Sequence, residues 1–347
     1  MGIQRRAILN RSRGLSALAL AGATLGPAAV ACGPAQGQPG TSTEGQAQTP
    51  AGNPVKGGTY TEAVFGDAKT LQPLLSQDAP SNSFISLHYN AFLLRRNEDT
   101  LELDTKHGTA ESFQVSPDGL TVTYKLKPNV QWSDGRPITS ADYKFTYDKM
   151  LDPKVDYPYR NNFREFESLT APDERTLVFR LKEAFCPAIE QSNLNPIPKH
   201  IFENQDINDS PLNQKPTVGS GPWLLQEWVK DDHATFIAND KFYLGRPNLD
   251  RHVFRIVADQ NVIYAMVKAQ EVDSGTVKAE DWEEVKTLKH LQPLSYYPVA
   301  ASWVYFGFNM RRDELKDVRV RQALSYAMDR QKMVERIRLG HAKPLNS

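Results

Sequence analysis

The sequence predicts a mixed α/β fold, β-rich with helices interspersed, and three observations carry that prediction. Residues 116 to 151 spell a turn, a strand, a second turn and a capped helix in immediate succession. A related turn and strand recurs at 171 to 182. Further on, acidic cap residues (Asp259, Asp317 and Asp329) stand at the head of apolar-periodic helical stretches, the first two of which follow strand-like runs.

In the first unit, Ser116-Pro117-Asp118-Gly119 is a turn signal, because proline presets φ and glycine accepts the positive φ that other residues resist. Leu120, Val122, Tyr124 and Leu126 then alternate with Thr121, Thr123, Lys125 and Lys127, which predicts a strand with one buried and one wet face. Val130 and Trp132 read as a short return segment closed by Ser133-Asp134-Gly135. Thr139 stands three residues before Asp142, the spacing of a capping box, and Ala141, Phe145 and Met150 supply the helix's apolar stripe until Pro153 ends it. Ala171 to Lys182 matches Ser116 to Lys127 at Pro, Asp, Thr, an aromatic, a basic residue, Leu and Lys, displaced by 55 residues. Two equivalent turn-strand units in one sheet are expected, not a solenoid.

Elsewhere a strand is expected over Thr59 to Val64 and a helix over Ser81 to Leu94, with Ile85, Tyr89, Phe92 and Leu93 on one face. Three strands are expected over Trp223 to Trp228, His233 to Ala238 and His252 to Ile256, and a helix capped by Asp259 runs to Ala269. Another helix is expected near 281 to 289 and a long aromatic strand over Tyr297 to Asn309. Two helices follow, headed by Asp317 and Asp329 and closed by Gly340. The chain stops seven residues later, which reads as a truncation.

The 347 residues allow about two domains. Hydrophobic residues at 40% and charged ones at 24% describe an ordinary globular chain. Its first 31 residues hold Arg5, Arg6, Arg11 and Arg13 and no acid; 41 Lys and Arg less these four leaves 37 against 41 acids, a net of about −4. That balance argues against nucleic acid as the partner. Residues 1–31 have the basic start, apolar run and small-residue end of an export signal, and Arg5-Arg6 resembles a twin-arginine signal. Ala29-Val30-Ala31-Cys32 resembles a lipobox, in which Cys32 is acylated; a plain secretory signal is the alternative. Residues 32–56 lack large apolar side chains and read as a flexible tether, so the protein is expected at the outer face of a membrane or in the periplasm. Cys186, without a partner if Cys32 is lipidated, reads as a small buried hydrophobe.

Catalytic signals are poor. His88, His107, His200, His233, His252, His290 and His341 form neither HExxH nor a close pair of metal-ligand spacing. Gly219-Ser220-Gly221 is flanked by Val218 and Pro222 where a nucleophile elbow needs glycines, and no GK[ST] follows. Acidic pairs such as Asp231-Asp232 read as solvated surface. What remains is an aromatic inventory, Trp132, Tyr157, Tyr159, Trp223, Trp303 and Tyr305, near glycine-rich turns, suited to a polar, partly apolar ligand in a cleft and individually more often core than pocket.

Together these motifs resemble a known family. Ala110 to Phe113, Ser116 to Gly119, Tyr124 to Lys127 and Trp132 to Asp142, with Pro196 to His200, Gly219 to Pro222, Asp317 to Leu324 and Ala327 to Arg330, resemble the signature of family 5 extracellular solute-binding proteins, the dipeptide, oligopeptide and nickel receptors of ABC importers. The resemblance runs from about Gly57 to Ser347. It implies the large, cluster C-like form of the type II periplasmic-binding-protein fold, two lobes that close on ligand by hinge motion. On that pattern lobe I covers 57–300, with an outer subdomain at about 100–215, and 301–347 hold the hinge and the start of lobe II. The resemblance implies a monomeric receptor without catalysis, cofactor or metal, whose partners are a peptide or other small polar solute, the permease subunits, and the membrane through its anchor. An exported hydrolase, a scaffold reusing the lobe, or a remnant is the alternative.

Site residues carried over from the family are the loop Gln77, Asp78 and Ala79, offering backbone groups to an extended ligand; Tyr159, leaning over the cleft; Ser220 and Gly221 in the facing turn; and Ser302, Trp303 and Tyr305 at the hinge. Two positions depart from the family pattern: Gln270 replaces a usual glycine and Phe113 a common tryptophan.

Overall fold

The computed structural model describes residues 55–97, 102–294 and 305–345. Residues 1–56 therefore contribute only their last two positions, and the export signal, Cys32 and nearly all of the tether lie outside the described residues, as do Ser302 and Trp303.

The chain opens with strand β1 (Thr59–Val64) and helix α1 (Ala79–His88). A small hairpin follows, β2 (Arg95–Arg96) and β3 (Leu103–Asp104), and then β4 (Ala110–Val115), β5 (Thr121–Leu126) and helix α2 (Ser140–Leu151). Next come β6 (Phe166–Asp173), β7 (Thr176–Leu181) and two short helices, α3 (Ala188–Ser192) and α4 (Lys199–Phe202). Strands β8 (Trp223–Val229), β9 (His233–Ala238) and β10 (Arg251–Ile256) lead to α5 (Gln260–Lys268), β11 (Ser274–Gly275) and α6 (Trp282–Val285). Helices α7 (Val318–Ala327) and α8 (Arg330–Arg336) come last.

Two sheets organise these elements. One is five-stranded and mixed, in the order β11-β1-β10-β9-β8, with β1 parallel to both β10 and β11. The other is antiparallel, β4-β5-β7-β6. Strands β5 and β7, the two related turn-strand units, are direct neighbours in it, with Val122 opposite Phe179 and Tyr124 opposite Leu177. Inward residues of this pair are fully buried while Thr123, Lys125 and Arg180 are not, as the alternation predicts.

One apolar core joins both sheets. Phe84 of α1 packs in it, stacked on Phe254 and edge-on to Phe236 and Trp228, and Trp132 with Tyr124 and Phe179 of the antiparallel sheet is fully buried in the same core. A smaller cluster of Ala63, Ile263, Val267 and Val272 seats α5 on β1.

Several expectations are corrected. The helix expected over Ser81 to Leu94 ends at His88, because Ala91 to Leu94 follow an irregular course whose backbone groups bond to two distant partners instead of to a helix. Asn195 Oδ1 accepts from Ala91 N–H at 2.9 Å and Asn193 Oδ1 from Leu94 N–H at 2.7 Å, while Phe92 and Leu93 carbonyls receive the N–H groups of Thr109 and Ala110. On α2, Ala141 is exposed and Phe145 only half-buried; the core face is Tyr143, Thr146, Tyr147 and Met150. On that polar face two of the three hydroxyls are engaged: Tyr143 donates to Ala91 O at 2.6 Å, and Thr146 Oγ1 donates to Asp142 O and accepts from Ile197 N–H, while the buried Tyr147 hydroxyl has no partner among the described residues. The α2 start is as expected, with Thr139 N–H donating to Asp142 Oδ2 at 2.9 Å. The helix near 281–289 shrinks to a 3-10 turn and α6, since three-residue turns at Leu288 and Leu291 take over the backbone bonds. Within the expected strand over Tyr297 to Asn309, Tyr305 to Asn309 are irregular, and the residues before Tyr305 lie outside the described set. Cys186 is exposed, not a small buried hydrophobe.

Gln270, where the family pattern favours glycine, has φ of 57° just past α5. The left-handed conformation that closes this helix, with Glu271 N–H reaching back to Met266 O, is the reason a glycine suits the place.

Candidate functional site

Helix α1 positions the first candidate group. Asp78 caps it, its carboxylate accepting from Ser81 N–H and Ser81 Oγ, both at 2.9 Å. Ser81 is fully buried, and its hydroxyl oxygen also accepts from Lys69 N–H at 2.8 Å. That clamp holds Gln77 and Ala79 exposed at the surface. Among the described residues, neither the N–H nor the C=O of Gln77 has a hydrogen-bond partner. An exposed, unpaired backbone step ahead of a rigid helix is a ready edge for an extended ligand.

Ser220 and Gly221 stand at the other end of the same helix, which at ten residues spans about 15 Å. Both N–H groups donate to His88 O, at 2.9 and 2.8 Å, and Ser220 Oγ accepts from Asn90 N–H. A Cβ on Gly221 would lie 1.9 Å from Leu87 O, so only glycine permits this approach. His88 is buried whole, with Nδ1 accepting from Leu225 N–H and Nε2 against Val218 O; burial pushes its pKa down to about 4, so the ring is neutral. Ser220 is 2% exposed, which makes this turn a packed support behind α1.

Tyr159 is 46% exposed and edge-on to Tyr157, whose ring leans on Phe163. The Tyr157 to Tyr159 segment is tied toward the start of α1 by a relay the sequence did not reveal. Asn208 accepts from Asp156 N–H and donates to Lys154 O. Asn213 donates to Ile207 O, accepts from Gln72 Nε2, and its carbonyl receives Leu71 N–H. An asparagine flanked by polar loop residues has no periodic signal, so only its buried side-chain amide (6% exposed at Asn213) marks the role. Tyr305 is 75% exposed and forms no hydrogen bond with any of these residues. Ser302 and Trp303 lie outside the described residues.

Two cavities are formed elsewhere. One of about 440 Å³ is lined by Asn90, Arg95, Lys106, His107, Phe242 and Leu244 among others, and one of about 270 Å³ by Arg136, Asp142, Lys199 and His200 among others. None of Gln77, Asp78, Ala79, Tyr159, Ser220 or Gly221 lines either. Among the described residues no three His, Cys, Asp or Glu side chains gather to hold a metal ion, and no helix is long and apolar enough to cross a membrane.

Residues 104–347 match the profile of the bacterial extracellular solute-binding proteins, family 5 (middle). The chain belongs to that family. This solute-binding protein is 28% identical over 303 residues to the oligopeptide-binding protein AppA of Bacillus subtilis, covering 85% of this chain and 54% of AppA. It is 30% identical over 304 residues to protein XP55 of Streptomyces lividans, with the same coverages. Among solved structures it is similar to AppA in complex with a nonapeptide (TM-score 0.74, 28% identity, 83% of this chain and 57% of that one). NikZ of Campylobacter jejuni in complex with Ni(L-His) gives a TM-score of 0.70 at 26% identity, with the same coverages. The fold of this solute-binding protein is thus the type II periplasmic-binding-protein α/β fold, and the chain spans about half the length of the relatives it matches.

Proposed function

We propose that this protein is the solute receptor of an ABC importer, capturing a peptide or a similar small polar solute outside the membrane and handing it to the permease. The observation that carries the reading is the open backbone step at Gln77, held by the Asp78–Ser81 clamp at the start of α1. An extended peptide adds to such a step as a strand does, through main-chain bonds that do not depend on its side chains. Tyr159 supplies an exposed aromatic face to the ligand in this reading, and Ser220 with Gly221 braces the far end of the helix. Tyr305, with Ser302 and Trp303, belongs to the hinge in this reading. Lobe I comprises 57–300, with its outer subdomain at about 100–215, and 301–347 begin the passage to the second lobe. The names of the relatives, oligopeptide-binding and peptide-binding proteins among them, support a solute-binding role. Acylation of Cys32, a tether over 32–56, a monomeric state and a place at the outer face of the membrane complete the proposal, and the protein performs no catalysis.

Calorimetric titration of the whole gene product with peptide mixtures, nickel chelates and oligosaccharides tests it. Saturable heat with one class is expected, weakened about tenfold by Tyr159→Ala with the melting temperature nearly unchanged, since loss of one aromatic contact is worth about 1.4 kcal/mol. Neither heat nor thermal shift with any class would sink the receptor reading.

A further inference from the structure

The 440 Å³ cavity lies where the β2–β3 hairpin meets the turn after β9, and neither Gln77 nor Tyr159 lines it. Its lining is lopsided in charge. Arg95, Arg96, Lys106 and His107 face it, with Asn90 and Asn97, over an apolar floor of Pro222, Phe242 and Leu244. Two of the basic groups are matched by acids: Arg96 pairs with Glu190, and His107 Nδ1 lies 3.8 Å from Asp104. Arg95 and Lys106 have no carboxylate within ion-pair distance among the described residues. Arg95 donates to Asn90 Oδ1, which leaves most of its five N–H donors for other acceptors.

The loop that carries Lys106 is fixed in place. Lys127 Nζ donates to the carbonyls of Thr105, Lys106 and Gly108 at 2.8, 3.0 and 2.7 Å. From the other side Tyr243 donates to His107 O at 2.6 Å. Asn90, which holds Arg95, is itself anchored through Nδ2 to Ser86 O and is 8% exposed. A concave, pinned site of this volume with two cations that form no ion pair among the described residues, and an aromatic wall, is matched to an anion that has an organic body.

We propose that this cavity is a second binding site, separate from the solute cleft, for a small organic polycarboxylate. Its carboxylates would meet the Arg95 guanidinium, which suits the planar fork of a carboxylate, and the Lys106 ammonium, while its carbon skeleton lies against Phe242 and Leu244. Inorganic anions share the charge but not the skeleton, and so bind more weakly.

Titration of the whole protein with citrate at constant ionic strength tests this, with sulfate and inorganic phosphate as parallel arms. One saturable site with a dissociation constant below about 1 mM is expected for citrate, and at least tenfold weaker binding for sulfate and phosphate. Lys106→Gln, at an exposed position, weakens citrate severalfold, and Arg95→Gln with Lys106→Gln weakens it at least tenfold. Should Arg95→Gln fail to fold, Leu244→Glu serves instead: it places a carboxylate at the exposed floor and abolishes citrate binding while leaving the fold intact by circular dichroism. Absence of saturable citrate binding, equal affinity for all three anions, or affinity unchanged in Lys106→Gln and Leu244→Glu each overturns the proposal. A peptide that binds and is displaced competitively by citrate also overturns it, because the two sites would then be one.

Discussion

Residues 55–294 and residues 305–345 obey the same local rules and end up in opposite situations. In the first stretch α1, α2 and α5 each bury a face: Phe84 and Ile85, Tyr143 and Tyr147, Ile263 and Val267. In the second, α7 and α8 are headed by Asp317 and Asp329, whose carboxylates accept from Arg319 and Lys332 N–H, yet no residue of either helix is buried. Val320 and Leu324 of α7 are 39% and 45% exposed. A cap sets where a helix begins, while most of its stability comes from an apolar face pressed on something else. Local grammar alone therefore does not distinguish a packed helix from an unpacked one.

The contrast can be broken most forcefully in the packed region. Trp132 is the largest fully buried side chain among the described residues, so Trp132→Ala is expected to cost about 3–5 kcal/mol, read as a lowered urea midpoint. An unchanged midpoint would show that the core does not depend on this residue. His88 gives a second handle through pH. Its folded pKa, about 4, lies below the ordinary histidine value of 6.5, so the unfolded chain binds the extra proton first. The stability it secures is complete above pH 6.5 and drains as pH falls toward 4, by about 3 kcal/mol over that window. His88→Gln should start less stable at pH 7 and lose less between pH 6.5 and 4, and equal slopes for the two proteins would refute the assignment. In the unpacked region Leu324→Ser should change stability by less than about 0.5 kcal/mol, since the side chain loses no buried contact. A larger loss would mean that α7 is covered in solution.

Elements whose signals are local were legible in advance. The strand Thr59–Val64, the paired units β5 and β7, the strands β8 to β10 and the acidic caps of α5, α7 and α8 follow from turn chemistry, alternation and cap residues within a few positions. What escaped depends on partners distant in sequence. Tyr89 to Leu94 have the apolar spacing of a helix, and partners distant in sequence, Asn193 and Asn195 about a hundred residues on together with Thr109 and Ala110, make the non-helical course better. The buried face of α2 is polar in composition, so hydrophobic spacing pointed to Ala141 and Phe145, one step round the helix from the true face. At the site, the loop around Gln77 was reached through family resemblance, and the clamp by Ser81 and the relay through Asn208 and Asn213 were not, because lone hydroxyl and amide side chains have no period to read. The charged cavity escaped for the same reason: Arg95, Lys106 and Phe242 come together only when the hairpin folds over the turn after β9.

The anchoring of α1 has a mechanical side. The deep end of this rod is bolted to the turn at Ser220 and Gly221 by two bonds to one carbonyl, with no room even for a methyl group between them. The outer end is held by the Asp78–Ser81 clamp and carries the exposed backbone step at Gln77. Pressure applied at Gln77 thus cannot be absorbed by sliding of the helix and passes along its length to the strand that Trp223 begins, so that α1 acts as a stiff strut between the surface step and the five-stranded sheet.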